Sequence, residues 1–385
     1  MRLYFFIACL LVFSMLATLF PSAVEASDEI VEADFSYESV TDTRLAQLIE
    51  DGEIPLNVTH LYLTGNQISN LTLLEPLTEL QELALGGNRI SNLSPLAALG
   101  NLRLLWLSSN NITNVSPLES LTKLEALDLT NNRLGNLAPL SKLEQLTMLY
   151  VSRNQVSDVA FLETLANLEH LSLSGNDIVN ILPLAGLKKL SWLDLGKTQI
   201  CDITPLSSLT ELKFLNLFDN EVENIDALGD MTKLEFLILC WNEVSDVAPL
   251  SNLPELNYLS LYGNRVSDVS SLSSLQKLEM LFLELNPVKM SHINQLKKAL
   301  SECFIFHKTP GHVLGNDEIT VRDALEILKF IVKMDNKLYE CGNAYAAAVI
   351  TESSNKTYVP AISDALEILK YLVGMKNLIG ELHGA

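Results

Sequence analysis

The chain is short of positive charge, of cysteine and of catalytic signatures. Its 26 Lys and Arg face 47 Asp and Glu, a net charge of −21. A balance this acidic excludes nonspecific binding to nucleic acid or to an anionic membrane surface. Five Cys in 385 residues are too few for a disulfide scaffold. None of H-E-x-x-H, G-x-S-x-G, G-x-G-x-x-G, a P-loop or C-x-x-C occurs, and the six His are scattered. These absences argue against an enzyme. After residue 20 no apolar run is long enough to span a bilayer. Hydrophobic residues still make up 48%, which excludes a disordered chain.

Residues 1–26 stand apart from the rest. Arg2, the apolar run Leu3–Phe20 and the small residues around Val24 and Ala26 have the layout of an export signal, with an uncleaved anchor as the alternative. Export predicts a secreted, extracellular protein with no membrane contact in its mature form. Disulfides are then permissible, and Cys303 and Cys341 could meet. Free thiols are the simpler reading for these two, for Cys201 and for Cys240.

The dominant feature is a 22-residue ruler. Asn stands at 66, 88, 110, 132, 154, 176, 220, 242, 264 and 286, and Thr198 fills the one gap. Leu or Val lies five and three residues before each of these slots, and Ile, Leu or Val two after it. Pro95, Pro117, Pro139, Pro183, Pro205 and Pro249 begin the return half of their units. One unit is too short to bury its own Leu, so units must stack into a continuous core. The slot Asn carries donors and an acceptor for the backbone turning out of each strand. Thr198 supplies fewer, which marks its repeat as the weak point.

This pattern resembles the leucine-rich repeat family, in the 22-residue form most like that of internalins. The resemblance implies an α/β solenoid of parallel strands over 61–286. It also implies an N-terminal cap at 27–60 with a helix near Thr43–Glu50, and a C-terminal cap at 287–308 with a helix over Ser291–Ser301. Eleven strands are expected. The concave sheet should present Tyr62, Trp106, Tyr150, Trp192, Phe214, Phe218, Phe236, Trp241, Tyr258, Tyr262 and Phe282 to solvent. Trp and Tyr are favoured interface anchors, so this face is expected to bind a protein or a glycan. The fold alone does not choose the ligand.

Beyond residue 308 the ruler stops. Asp323–Met334 and Asp364–Met375 repeat each other almost identically at a spacing of 41, with apolar residues at helical intervals. The pair resembles the dockerin family over 309–385. That implies a small all-α, EF-hand-type module docking onto a cohesin-bearing scaffold, as in cellulosome-type assemblies that degrade polysaccharide. By this resemblance Val321, Arg322, Lys329, Phe330, Ile362, Ser363, Lys370 and Tyr371 would face the cohesin. The metal slots are depleted: only Asn316 and Asp323 in the first loop, and Asn355 and Asp364 in the second, suit a hard cation. One carboxylate per loop is too few for tight calcium binding, and no other cofactor is expected. The sequence therefore yields an accessory binding protein of a cellulosome-like assembly. An internalin-like adhesin, or an inhibitor or regulator of enzymes, is the alternative.

Overall fold

The computed structural model describes residues 30–307. The leader, the duplicated tail segments with their docking and metal residues, and Cys341 lie outside the described residues. Thirteen three-residue strands form one sheet in strict chain order, with every pair parallel. They are β1 Glu32–Asp34, β2 His60–Tyr62, β3 Glu82–Ala84, β4 Leu104–Trp106, β5 Ala126–Asp128, β6 Met148–Tyr150, β7 His170–Ser172, β8 Trp192–Asp194, β9 Phe214–Asn216, β10 Phe236–Ile238, β11 Tyr258–Ser260, β12 Met280–Phe282 and β13 Phe304–Phe306. Two strands exceed the eleven that the ruler marks, because each cap adds one: β1 pairs with β2, and β13 with β12.

The register repeats the ruler. Leu61, Leu83, Leu105 and Leu127 are direct partners across successive strands. Their side chains, and those three residues before each slot, are fully buried in one continuous core. On the return side each repeat makes a short 3₁₀ turn; several, such as Ser94–Ala98 and Ser116–Ser120, carry proline near the start. An Asn or Asp caps these turns: the amide of Ser94 donates to Asn92 Oδ1 at 3.0 Å and that of Thr204 to Asp202 Oδ1 at 2.8 Å.

The caps seal both ends. Helix α1, Asp42–Glu50, starts one residue earlier than expected because Thr41 caps it, accepting from the Arg44 amide. It buries Leu45 and Leu48 on the first repeat. Helix α2, Met290–Ala299, buries Ile293 and Leu296 at the other end.

The slot side chains tie repeat to repeat. Asn132 Nδ2 donates to Leu129 O at 3.0 Å in its own repeat and to Leu107 O at 3.0 Å in the one before. Its Oδ1 accepts the amide of Ile112 at 3.0 Å. The same triad recurs at Asn88, Asn110 and Asn242. Each such side chain satisfies buried backbone groups that water cannot reach.

Thr198 breaks the series as expected. Its Oγ1 donates to Leu195 O at 2.7 Å, which replaces the bond within the repeat. It has no amide to reach Leu173 O, and no amide oxygen to accept from Ile178, whose counterparts Val156 and Ile200 both donate to a slot Asn. The local backbone also changes: Gln199 joins Lys197 at positive φ, the only repeat with two such residues. Thr198→Asn is expected to raise unfolding stability by about 1–2 kcal/mol, and Asn132→Thr to lower it by a similar amount. Urea denaturation of both variants checks this.

Candidate functional site

The residues between and beyond the two inward Leu of each strand form four columns on the concave face. Six residues before the slot, the column reads His60, Glu82, Leu104, Ala126, Met148, His170, Trp192, Phe214, Phe236, Tyr258 and Met280. Trp192, Phe214, Phe236 and Tyr258 are direct partners on adjacent strands and make this stretch of the column continuously aromatic. Two before the slot, Thr64, Gly86, Ser108, Thr130, Ser152, Ser174 and Gly196 give way to Phe218, Cys240, Tyr262 and Glu284. This column is therefore small and hydroxylic towards its N-terminal end and bulky towards its C-terminal end.

The expectation that all eleven aromatics face solvent needs correction. Trp106, Tyr150, Trp192, Phe214, Phe236, Tyr258 and Phe282 are buried, and Tyr62, Phe218 and Tyr262 are half-buried. Trp241 alone is open, at 42% exposure. The physical reason is ring-on-ring packing at the spacing of the strands. Trp192 and Phe214 stack with centroids 5.0 Å apart and planes 7° apart. Phe282 and Phe306 stack at 4.6 Å, Phe236 and Tyr258 at 6.0 Å, and Tyr258 tilts on Phe282 at 5.5 Å. Tyr150 meets Trp192 edge-on at 6.1 Å. Such pairs add packing energy beyond the buried area, and they occupy the ring faces.

One residue before each slot the chain turns through the left-handed region. Gly65, Gly87, Gly175 and Gly263 do so at no cost, but Ser109, Asn131, Arg153, Lys197, Asp219, Trp241 and Leu285 also have φ between 53° and 57°. A bulky side chain there costs about 1–2 kcal/mol. Trp241 bears that strain at φ 57° and lays its indole against Tyr262, centroids 5.4 Å apart. Lys197, in the same column, sets Nζ 5.4 Å from the Phe218 ring centroid and 3.8 Å from Asp219.

Buried carboxylates punctuate the face. Glu82 accepts from Trp106 Nε1 at 3.0 Å and from Tyr62 OH at 3.2 Å; burial still holds its pKa above the ordinary value. Asp194 accepts from Asn216 Nδ2 at 2.7 Å, from the Gly196 amide at 3.0 Å and from Ser172 Oγ at 3.3 Å. Burial outweighs those donors and pushes its pKa up to about 6. Glu284 is pushed up to about 7 by burial. His170 is pushed down to about 4 by burial, so its ring is neutral at pH 7. Three polar atoms on neighbouring strands, Tyr150 OH, His170 Nδ1 and Trp192 Nε1, are buried with no partner. No group of three or more His, Cys, Asp or Glu that could hold a metal ion occurs among the described residues. Cys201 and Cys303 carry free thiols.

Against known proteins, the family model for leucine-rich repeats, in its two-copy form, matches residues 56–98, 100–142, 122–166 and 144–186. The crystal structure of internalin InlF from Listeria monocytogenes is 30% identical over 77% of this chain and 88% of that one, with a TM-score of 0.68. The chain belongs to the leucine-rich repeat proteins, and its repeat domain is internalin-like. A leucine-rich repeat protein of Leptospira interrogans shares the fold at 24% identity and a TM-score of 0.59, over 65% of this chain and 72% of that one. A plant peptide hormone receptor, RGFR1, in complex with RGF2, shares it at 20% identity and a TM-score of 0.52, over 75% of this chain and 55% of that one. No curated protein matches the chain.

The raised carboxylate in this internalin-like sheet gives a signed pH effect. An unfolded Asp ionises near 3.9, so Asp194 favours the folded state fully below that pH and loses the benefit as pH rises through about 6. Asp194→Asn keeps the acceptor for Asn216 and Gly196 and removes the charge. The variant is expected to be more stable than the parent at pH 7.5, with the advantage gone by pH 4. Urea midpoints at the two pH values check it; equal advantages at both would refute the buried charge.

Proposed function

We propose that this protein is a secreted, non-catalytic binder of adhesin type, and that the C-terminal half of its concave face captures another protein. The observation that supports a protein over a glycan is the state of the aromatic rings. A sugar platform needs free ring faces, and here those of Trp192, Phe214, Phe282 and Phe306 are turned on one another. What the sheet offers instead is the exposed indole of Trp241 beside half-buried Tyr262 and Phe218, with acidic groups around them. Trp and Tyr anchors flanked by near-neutral contacts are how protein interfaces concentrate their energy. Secretion rests on the leader in the sequence; no helix among the described residues is long and apolar enough to cross a membrane.

A second reading adds a tether. The duplicated segments Asp323–Met334 and Asp364–Met375 favour a dockerin-like hold on a cohesin-bearing scaffold, which would make the solenoid an accessory of a polysaccharide-degrading complex. The support for it is sequence alone. Binding of the full chain to immobilised cohesins, in Ca²⁺ and then in EDTA, separates the two: retention in both conditions supports a metal-independent tether, and no binding to any cohesin removes the scaffold reading.

Trp241→Gly tests the concave face without confounding stability. It relieves left-handed strain of about 1–2 kcal/mol while losing surface packing of similar size. The thermal midpoint is expected to stay within about 3 °C of the parent, while capture of the protein ligand weakens at least tenfold. Unchanged capture by Trp241→Gly and by Trp241→Gly/Tyr262→Ala would show that the ligand binds elsewhere.

A further inference from the structure

The two flanks of the repeat stack treat charge differently. On the flank where the chain enters the strands, opposite charges one repeat apart pair within the molecule: Arg103 with Glu125 at 2.8 Å, and Lys277 with Glu255 at 2.6 Å. On the flank where it leaves them, charge is sorted by end. In the column one residue after the slots, the first five repeats carry Arg89 and Arg133 and no acid. The next five carry Asp177, Glu221 and Glu243; their one cation, Arg265, is held by Glu243 at 2.8 Å. Arg133 and Arg153 are exposed with no carboxylate partner among the described residues, and Asp177 and Glu221 are exposed with no cation. The column three after the slots changes at the same place. It holds only Ser, Thr or Gly from 69 to 157, and then Val179, 56% exposed.

A flank that is basic at one end and acidic at the other is complementary to its own antiparallel copy. A two-fold axis between the repeats of Asn154 and Asn176 sets Arg89 opposite Glu243 of the second copy, Asn111 opposite its Glu221 and Gln155 opposite its Asp177. Every such pair occurs twice. No like charges meet in that column. In the column four after the slots each Asp falls opposite an Asn, as Asp202 does opposite Asn136. Moving the axis by one repeat sets Asp177 against its own copy in one direction, and Arg153 and Asp158 against theirs in the other. Like-charge repulsion therefore selects one register. In that register the two Val179 side chains stand one repeat apart across the axis, about 5 Å along the stack, and cover each other.

We propose that this flank is the interface of an antiparallel, two-fold homodimer of the repeat domain, centred on Val179. Arg153, two residues before Gln155, reaches the same Asp177 of the second copy, so a reciprocal pair of Arg–Asp bridges lies beside the axis. Two chains of net charge −21 repel at long range. Physiological salt screens that repulsion beyond about 8 Å, which leaves the order of charges at the contact to decide. The dimer keeps both concave faces open and on the same side, so contacts at this flank are with the same chain and not with a captured protein. Two joined concave faces hold a partner that displays its epitope twice more tightly than either face alone. The dimer stands independently of what the concave face binds.

The test is sedimentation equilibrium of the full chain at concentrations up to about 200 µM, with a charge swap across the axis. The parent is expected to sediment with twice the mass of one chain. Arg153→Asp and Asp177→Arg are each expected to weaken the dimer at least tenfold, because each change acts twice. The double variant Arg153→Asp/Asp177→Arg is expected to restore it to within about threefold of the parent. Both positions are exposed, and Asp accepts the left-handed backbone at 153, so the fold is kept. Asp177→Arg makes the chain less negative, so diffuse repulsion alone would strengthen its dimer; the account predicts the opposite. Lys142→Glu, on an exposed return turn, alters net charge as much as Arg153→Asp does and is expected to leave the dimer unchanged. A monomeric parent, a dimer indifferent to both single changes, or a double variant no tighter than the singles would overturn the interface.

Discussion

A side-chain amide that reaches back one repeat is the interaction on which this structure depends. Each strand is only three residues long, and the chain leaves it at once through a left-handed residue. That exit exposes backbone carbonyls and an amide inside the core, where water is absent. The slot Asn answers them with two donations and one acceptance, one pair of which crosses into the preceding repeat. The bond is therefore both a turn cap and a staple between repeats. Because the same residue repeats at the same offset, stability is shared along the stack as a series of neighbour terms. The ion pairs that also span one repeat, such as Arg265–Glu243 and Lys277–Glu255, lie at the surface and add little.

This division of labour frees the concave face. The Leu columns fill the core and the Asn column closes the turns, so the remaining four columns can vary without unmaking the fold. They vary strongly, from hydroxyls and glycine at one end to Phe218, Trp241, Tyr262 and Glu284 at the other. Several of those choices work against stability: an indole at positive φ, a buried carboxylate oxygen on Glu284 without a hydrogen-bond partner, and unpartnered polar atoms on Tyr150, His170 and Trp192. Departures that collect on one face, while the core stays regular, are the mark of a surface shaped for a partner.

Much of the frame was legible in the sequence. The 22-residue ruler places the interior strands, the buried Leu and the defect at Thr198. The helix expected near Thr43–Glu50 appears as Asp42–Glu50, and that over Ser291–Ser301 as Met290–Ala299. The two outer strands were not legible. Glu32–Asp34 and Phe304–Phe306 lack the Leu pattern and become strands only by pairing with the end repeats. The site was legible by column and not by exposure. A sequence shows that Trp192 and Phe214 share a face; whether they stack on each other or stand apart depends on rotamers and on the strand spacing. The left-handed column was missed, although Gly65, Gly87, Gly175 and Gly263, each one residue before a slot, carried its signal.

The central claim is that the C-terminal half of the concave face is where a protein partner sits. Its most direct measurement is site-specific photo-crosslinking of the full chain to its protein ligand, with the crosslinker at Asp219 beside Trp241, and in a second sample at Leu182. Leu182 lies on a return turn and is 64% exposed, so it reports any partner on the opposite side. The account predicts an adduct from position 219 and none from position 182. An adduct from 182 without one from 219 would contradict it.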